Sequence, residues 1–479
     1  MISNLQRAVE IDKLEAVIGT MDPALRRAAG TCSVEGIRSL RNAALDGQGR
    51  LYAARFRRLA RMAKLMRLSQ VASMAQRMGP LLSARLLPFF EPHYVGRVAR
   101  RLSADFIAAA TAEADPRVLR SLVAHIEPDQ VAEAASLLIT QEHYVHAGQL
   151  TDALDPQAIR AILDRVDDNV ALLRTVIYME QPDKLGNVIR LVDNARLNEI
   201  ILAGAADRTV WPLMLWMIDQ VGRDLKGRIT NLMVVRDPEV LNELIRVADQ
   251  QGLWGPILRA IDTVKARHRP MLVHLEALRD EATLGHLVRA AYDEGLMANT
   301  LPLIDAMNGD LQAYVTRVGM KMGGTILETF VQTAIQEKRG DLILTLMGRL
   351  QDQELDELAT LSVFTDSVVL GPLIRAAISS GQISTLMRFA RVLSRRSQEL
   401  FASLLALDHG ALFERLLNRA DNLREVDWKN LMSVLGRLKS PGQFAGLAEV
   451  VQWQSAKTYS TLKGYAENAG LALFGGARS

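Results

Sequence analysis

The second half of the sequence repeats itself every 43 residues, and this period restricts the fold more than any other feature. The segment LNELIRVA at 241–248 recurs from 284, 327, 370 and 413 as LGHLVRAA, LETFVQTA, LGPLIRAA and FERLLNRA, without an insertion. Apolar residues at positions i, i+3, i+4 and i+7 of each copy predict an amphipathic helix. Gly252, Gly295 and Gly381 follow this helix, where a left-handed C-terminus favours glycine.

Two further helices are predicted in each repeat. The second is marked by Leu258 and Ile261 and the third by Leu272 and Leu275, together with their equivalents in later repeats. A unit of this size cannot bury its own apolar faces, whereas stacking on similar neighbours produces one continuous core. We therefore predict an all-α fold, an α-solenoid of about eight three-helix repeats over 102–455, preceded by a basic helical N-terminal region.

Signals for helix starts continue upstream of the regular repeats. Asp115-Pro116, Glu127-Pro128 and Asp155-Pro156 each place an acidic cap before a proline that suits the first helical turn. The three-helix unit resembles armadillo and HEAT-like repeats, which implies a protein that binds partners. The stretch 102–167 also resembles the N-terminal superhelical domain of MgtE-type magnesium transporters. The regulatory domains and membrane pore of those transporters have no counterpart in this sequence, so the resemblance does not imply transport.

The composition is that of a folded chain without membrane-spanning helices. Hydrophobic residues make up 49% and charged residues 23% of the 479 positions, which is too apolar for a disordered chain. The longest segment without a charged residue, 376–387, is much shorter than the roughly 20 residues that cross a bilayer. Charged side chains in the first thirty residues argue against a secretory signal, and a single cysteine, Cys32, cannot form an intrachain disulfide. We therefore expect a cytoplasmic protein.

Charge divides the chain into regions of opposite sign. The segment 51–101 carries a net charge of +10, whereas 102–479 carries −8. We expect a helical N-terminal region at 1–101, one cooperative array of repeats at 102–455, and a looser tail at 456–479, where the 43-residue spacing is lost. Such a division of charge is typical of a basic surface for an anionic partner, or of two parts of a chain that attract each other.

The basic segment predicts an amphipathic helix over 55–67. Its apolar side consists of Phe56, Leu59, Ala63 and Met66. Its candidate residues for binding an anionic membrane are Arg57, Arg58, Arg61, Lys64 and Arg67. Alternatively, the apolar side covers the end of the acidic repeats and leaves the arginines in water. Nucleic acid is less favoured as a partner, because Tyr52 and Phe56 are the only aromatic residues among these arginines.

The repeat also places charged residues at equivalent positions. One position of the first helix holds Arg246, Arg289 and Arg375. One position of the second helix holds Asp219, Asp262 and Asp305. The arginine line could bind acidic side chains or phosphates of a partner. The interpretation that we favour is structural: the arginine and aspartate lines pair with each other between neighbouring repeats.

No residue pattern typical of catalysis is present. The sequence lacks the glycine-rich loops that bind nucleotide phosphates. Cys32 has no recognisable partner base, and His143 and His146 would supply only two ligands to a zinc site that needs more. We therefore expect no enzyme activity, no cofactor and no metal.

Three functions compete on these grounds. The leading hypothesis is a non-enzymatic scaffold or adaptor that binds a protein partner along its helical repeats. The alternative is a peripheral protein of the inner membrane face, or a nucleic-acid-binding protein, that acts through 51–101. A helical-repeat DNA-repair enzyme is a weaker third hypothesis, because such an enzyme needs a cationic groove and the repeats are net acidic.

Overall fold

A computed structural model describes residues 2–51, 53–419 and 423–471, and every regular element in these ranges is a helix. The chain divides into two compact units, Met1–His268 and Arg269–Ser479. The prediction of an all-α fold built from stacked helices is confirmed. Within the described ranges, no helix combines the length and the apolar character that crossing a bilayer requires.

The N-terminal region of the first unit is helical, as predicted. Its helices are α1 (Ile2–Ile18), α2 (Pro23–Ala29), α3 (Val34–Arg50), α4 (Ala53–Ala63) and α5 (Leu68–Met78). Helix α1 packs on α3, and Leu14 and Ile37 are almost completely buried in the cluster between them. Ser33 begins α3 as an N-cap, because its hydroxyl accepts a hydrogen bond from the Gly36 amide at 3.0 Å.

Helices between Pro80 and Thr151 are arranged in pairs. They are α6 (Pro80–Leu86), α7 (Pro92–Ala99), α8 (Ala104–Glu113), α9 (Pro116–Leu122), α10 (Pro128–Thr140) and α11 (Tyr144–Thr151). The first five of them begin 12 residues apart, at N-caps that include Ser103 and Asp115. Helices α6, α8 and α10 pack on one another in one layer, and α7, α9 and α11 form a second layer. The sequence analysis placed three-helix units here, but caps at this short spacing produce helix pairs.

Three-helix units follow from Pro156. Those of the first unit contain α12 (Pro156–Arg165), α13 (Asn169–Val176), α14 (Leu185–Leu191), α15 (Asn194–Ala206), α16 (Trp211–Gln220), α17 (Arg223–Val234), α18 (Pro238–Gln251) and α19 (Trp254–Ile261). The third position after α19 is occupied by short turns of 3₁₀-helix and a five-residue α-helix at the start of the second unit.

The second unit continues the same pattern. Its helices are α20 (Arg269–Val273), α21 (Glu281–Asp293), α22 (Met297–Ala306), α23 (Gly309–Met322), α24 (Gly324–Gln336), α25 (Gly340–Arg349), α26 (Asp352–Ala359), α27 (Ser367–Ser380), α28 (Ile383–Val392), α29 (Arg395–Leu417), α30 (Glu425–Leu435), α31 (Pro441–Gln452) and α32 (Ala456–Asn468). Helices α21, α24 and α27 begin 43 residues apart, as do α22, α25 and α28. The period predicted from the sequence is therefore present in the helices.

Left-handed residues end several of these helices. Gly252, Gly295 and Gly381 have φ angles of 61°, 66° and 74°, so the predicted helix-ending glycines are confirmed. In α29, the backbone is non-helical from Leu407 to Gly410, with Asp408 and His409 also in the left-handed region. This break separates the third helix of one repeat from the first helix of the next.

An apolar core runs through the second unit and includes the last described helix. Phe364 and Phe389 are fully buried and pack edge to face, with ring centroids 4.8 Å apart. The sequence analysis assigned 456–479 to a looser tail, whereas residues 456–468 form α32. Leu462 and Ala466, one turn apart on this helix, are fully buried, and this burial explains its docking. Residues 472–479 of the expected tail lie outside the described residues.

Candidate binding surfaces

The basic segment forms a shorter helix than the sequence analysis expected. Helix α4 ends at Ala63, and a turn over 64–66 leads into α5. Arg67 precedes α5, and its amide donates a hydrogen bond to the Gln70 side chain at 3.2 Å, as in the N-terminal capping of a new helix. Lys64 and Arg67 therefore lie outside α4, whereas Arg57, Arg58 and Arg61 lie on it.

Helix α4 packs on the chain through small residues and one aromatic ring. Ala60 and Ala63 are buried, and the Phe56 ring lies 6.4 Å from that of Phe89. The Tyr94 hydroxyl donates a hydrogen bond to the Ala63 carbonyl oxygen at 3.1 Å, which fixes the end of the helix. Of the expected apolar side, Leu59 and Met66 are exposed and are not part of the packed face.

Large apolar side chains remain exposed beside the arginines. Leu65 is 89% exposed and Met62 is 63% exposed, although both are large hydrophobic residues that proteins usually bury. We use the name basic–apolar patch for the exposed residues Arg57, Arg58, Leu59, Arg61, Met62, Lys64, Leu65, Met66 and Arg67. The patch combines positive charge with apolar surface on one helix and the turn that follows it.

Most of the charge in the basic–apolar patch is not neutralised by the protein. Lys64 forms an ion pair with Glu91 at 2.9 Å, and the hydrogen bond from Lys64 lowers the pKa of the Glu91 carboxyl below its ordinary value. Within the described part of the chain, the four arginines of the patch form no ion pair. Their guanidinium groups are therefore available to an anionic partner.

The arginine line of the repeats is also exposed, but it does not pair with the aspartate line. Each aspartate forms an ion pair with a different arginine: Asp219 with Arg259 at 2.7 Å, Asp262 with Arg223 at 2.8 Å, and Asp305 with Arg339 at 2.9 Å. These pairs join neighbouring repeats, so the aspartates have a structural role. The predicted pairing between the two lines is wrong, because closer arginines occupy the aspartates.

The three arginines of the line differ little in their surroundings. Arg246 lies 3.6 Å from Glu243, one turn away on the same helix, and exposed pairs of this kind contribute little. Arg289 and Arg375 are exposed and form no ion pair with any described residue. Their helices α21 and α27 present them at the same position of two repeats, as the period predicts.

An ion cluster, which sequence reasoning missed, fixes the N-terminal helices to the repeats. We use the name ion cluster for Glu10, Lys13, Arg41 and Glu180. Arg41 donates two hydrogen bonds to the Glu180 carboxylate, at 2.8 and 3.0 Å, and the Lys13 ammonium lies 3.3 Å from the same group. Lys13 is only 2% exposed. The Tyr178 hydroxyl donates a further hydrogen bond to Asp12 at 3.0 Å. The cluster joins residues as far apart as Arg41 and Glu180, which are separated by 139 positions, so no local pattern could reveal it.

Burial and neighbouring charges shift the pKa values of Lys13 and Glu180 in the ion cluster. Burial lowers the pKa of Lys13, and the carboxylates of Glu180 and Glu10 oppose this effect. Burial would raise the pKa of Glu180, but hydrogen bonds from Arg41 and the charge of Lys13 hold it below its ordinary value. The cluster is a buried ion network that has a structural role.

His143, His146 and Cys32 are the residues that the sequence analysis considered for metal binding or catalysis. His143 and His146 have ring centroids 5.8 Å apart, but in the described part of the chain no third histidine, cysteine or carboxylate joins them in a metal-binding group. Burial, and to a lesser degree the charge of His143, lowers the pKa of His146 to about 4. Cys32 is exposed and has a free thiol.

The comparisons with known proteins give only weak similarities. No family model matches it, and no similar curated protein is found. A solved engineered protein is 13% identical, with a TM-score of 0.24 over 98% of this chain and 100% of its own. A circular tandem repeat protein is 18% identical, with a TM-score of 0.14 over 97% of both chains. The pentatricopeptide repeat protein PPR10, solved with an 18-nucleotide psaJ RNA element, is 11% identical, with a TM-score of 0.16 over 89% of this chain and 88% of its own.

Proposed function

We propose that this chain is a non-enzymatic helical-repeat scaffold that docks on an anionic membrane surface through the basic–apolar patch. The observation that carries the proposal is the combination of exposed apolar side chains, Met62 and Leu65 above all, with arginines that form no ion pair in the described chain. A soluble surface gains nothing from exposing these apolar groups to water. At a lipid interface, the same groups enter the acyl region while the arginines contact phosphate groups.

Electrostatic attraction and apolar insertion both contribute to the proposed membrane binding. Each basic residue near an anionic leaflet contributes about 1 kcal/mol at low salt, so the four arginines of the patch make the electrostatic contribution substantial. Insertion of Leu65 and Met62 adds the free energy of burying their exposed apolar surface. The acidic repeats, with a net charge of −8 over 102–479, would be repelled by the same lipids, so the patch gives the protein an orientation.

Co-sedimentation with phosphatidylglycerol vesicles tests this function. We expect the full-length protein to pellet with the vesicles at low salt and to dissociate at high salt, because salt screens the attraction between charges. Changing Arg57, Arg58, Arg61 and Arg67 to Gln should weaken binding by about tenfold or more, and changing Met62 and Leu65 to Ser should weaken it further.

A matched control removes the same number of exposed arginines from the second unit. Changing Arg289, Arg375, Arg396 and Arg415 to Gln should leave vesicle binding unchanged. The proposal is wrong if the wild-type protein stays in the supernatant at low salt, or if both sets of variants pellet like the wild type. A gel-shift assay with single-stranded RNA and DNA compares the nucleic-acid alternative under the same salt conditions.

A protein partner on the repeats is a second candidate function. It is supported by Arg289 and Arg375, which are exposed at the same repeat position and form no ion pair in the described chain. Such arginines suit an acidic partner, because guanidinium groups bind carboxylates through two parallel hydrogen bonds. Changing both to Gln should abolish capture of that partner from native cell extract and leave the melting temperature unchanged. A lower melting temperature with capture intact would instead show that these arginines stabilise the fold rather than bind a partner.

A further inference from the structure

An apolar cavity of about 150 Å³ lies between the two helix layers of the paired-helix region. It is lined by residues from α5 through α11, among them Met74, Phe90, Phe106, Leu122 and Leu138. Leu122 and Leu138 are buried, whereas Met74, Phe90 and Phe106 are half-buried. The cavity therefore lies between the helix layers and is partly open to solvent.

A second cavity of about 110 Å³ continues the first along the chain. The two share the lining residues Ala135, Ala147 and Leu154, so they adjoin at α10, α11 and the loop after α11. The second extends to Ile229 on α17. Together they form an elongated apolar space in the first unit.

The lining determines what kind of ligand the space accepts. No described lining residue of either cavity carries a charge. The hydroxyl groups of Ser83, Tyr94, Thr151 and Thr175 are already used, because each donates a hydrogen bond to a backbone carbonyl oxygen. The part of a ligand that occupies this space must therefore need no hydrogen bonds. Water needs polar partners, so it is not a suitable occupant.

Peptides and helices do not fit this space. An α-helix is about 10 Å wide with its side chains, too wide for cavities of this volume. An extended peptide brings an N–H and a C=O group at every residue, and the side chains of the lining are almost all apolar and leave these groups without partners. A hydrocarbon chain is thin, flexible and free of polar groups, and apolar cavities of roughly 150 Å³ are known to bind small hydrocarbons.

We propose that the two cavities bind one long acyl chain. The chain passes from the gap lined by α5 through α11, past Ala135 and Ala147, into the gap that ends at α17. The proposal does not rest on membrane docking by the basic–apolar patch, because the cavity residues and the patch residues are different.

Fluorescence titration of the full-length protein with cis-parinaric acid tests the proposal. This fatty acid becomes strongly fluorescent in an apolar site, so we expect saturable binding with one ligand per chain. Palmitic acid should displace it much better than octanoic acid, because only the longer chain occupies both cavities. Extraction of lipid from the protein after incubation with phosphatidylglycerol vesicles, or with free palmitate, distinguishes a phospholipid chain from a free fatty acid.

Variants that fill the space should remove binding. Ala135→Phe places a ring where the two cavities adjoin and should weaken cis-parinaric acid binding by about tenfold or more. Ala110→Phe, which fills the first cavity alone, serves as a second variant if Ala135→Phe melts early. Ala109→Phe is the matched control, because Ala109 is exposed on the same helix as Ala110 and lines neither cavity.

The outcome is decisive in either direction. No saturable fluorescence with the wild-type protein, or unchanged binding by a folded Ala135→Phe variant, overturns the proposal. Vesicle binding by Ala135→Phe should stay normal, and cis-parinaric acid binding by the arginine variants of the basic–apolar patch should stay normal. Acyl-chain binding and membrane docking can therefore fail separately.

Discussion

Individual buried charges decide how firmly the N-terminal helices are held. Glu180 is the acceptor for both Arg41 and Lys13, and these two cations are 5% and 2% exposed. Changing Glu180 to Ala would remove a carboxylate partner from two buried cations. We therefore expect a loss of about 3–5 kcal/mol in the free energy of unfolding. Urea denaturation measures this loss.

A partly exposed ion pair of the same region provides the comparison. Arg38 donates to Glu10 at 3.1 Å, but its side chain is 45% exposed. Changing Arg38 to Gln should therefore cost less than about 1 kcal/mol. If both substitutions had equal effects, the ion cluster would not have the energetic weight that its burial implies.

A single histidine should make stability sensitive to acid. The pKa of His146 is lowered from 6.5 to about 4, chiefly by burial. Between these values the unfolded chain binds a proton that the folded chain does not, so stability falls as pH decreases from 6.5 to 4. The shift corresponds to about 3 kcal/mol at most. Changing His146 to Gln should flatten this part of the stability–pH curve, whereas changing the exposed His93 to Gln should not.

The sequence predicts helix-ending glycines well, but it does not predict ion pairs between distant segments. Helix-ending glycines such as Gly252 follow from a local backbone requirement, so spacing alone predicts them. The bond between Arg41 and Glu180 joins residues 139 positions apart, and the two lie in segments that share no repeat. The partners of Asp219 and Asp262 were mistaken for a similar reason, because several arginines lie within reach and only packing selects among them.

At the scale of helices, close packing depends on glycines inside some elements. A Cβ atom at Gly96 in α7 would overlap the carbonyl oxygen of His125, so that substitution requires a backbone shift. Gly47 in α3 has no atom within 4 Å of the equivalent position. Alanine stabilises an exposed helix position relative to glycine by about 1 kcal/mol, so without contacts both substitutions would be favourable.

The two glycine substitutions should therefore have opposite effects. We expect Gly96→Ala to lower the free energy of unfolding by about 1–3 kcal/mol, because it overpacks the contact between α7 and the turn at His125. Gly47→Ala should raise it by up to about 1 kcal/mol. Thermal melting of both variants measures these effects. A stabilised Gly96→Ala protein would show that α7 and the turn at His125 separate easily.

Helix type was easier to predict than helix bounds or grouping. Apolar spacing predicted the helices of the repeats, and α21, α24 and α27 begin at the predicted period. The basic helix was predicted to continue to Arg67, but its packed face, with the buried Ala60 and Ala63, ends with α4. Apolar residues beyond that point face outward, because the chain turns there to begin α5.

At the scale of the whole chain, the sequence predicted a regular array, and the structure divides that array into two units. The period continues across the boundary at His268 and Arg269, so repetition gave no sign of the division. The division coincides with a third helix that is much shorter than its equivalents in other repeats. The equivalent helix one repeat later, α23, has 14 residues, whereas α20 has five and is flanked by turns of 3₁₀-helix. Pro270 lies in α20 and cannot donate a backbone hydrogen bond there, which favours the shortened helix.

This short segment should be the first internal site of proteolysis. Lys265 and Arg267 are exposed just before α20, and few backbone hydrogen bonds hold a five-residue helix together. We expect brief trypsin digestion to produce two stable fragments that meet between 265 and 280, each close to one compact unit. Changing Pro270 to Ala should slow this cleavage by allowing a longer helix. Early cuts in α23, at Arg317 or Lys321, would instead indicate one cooperative array that loosens elsewhere.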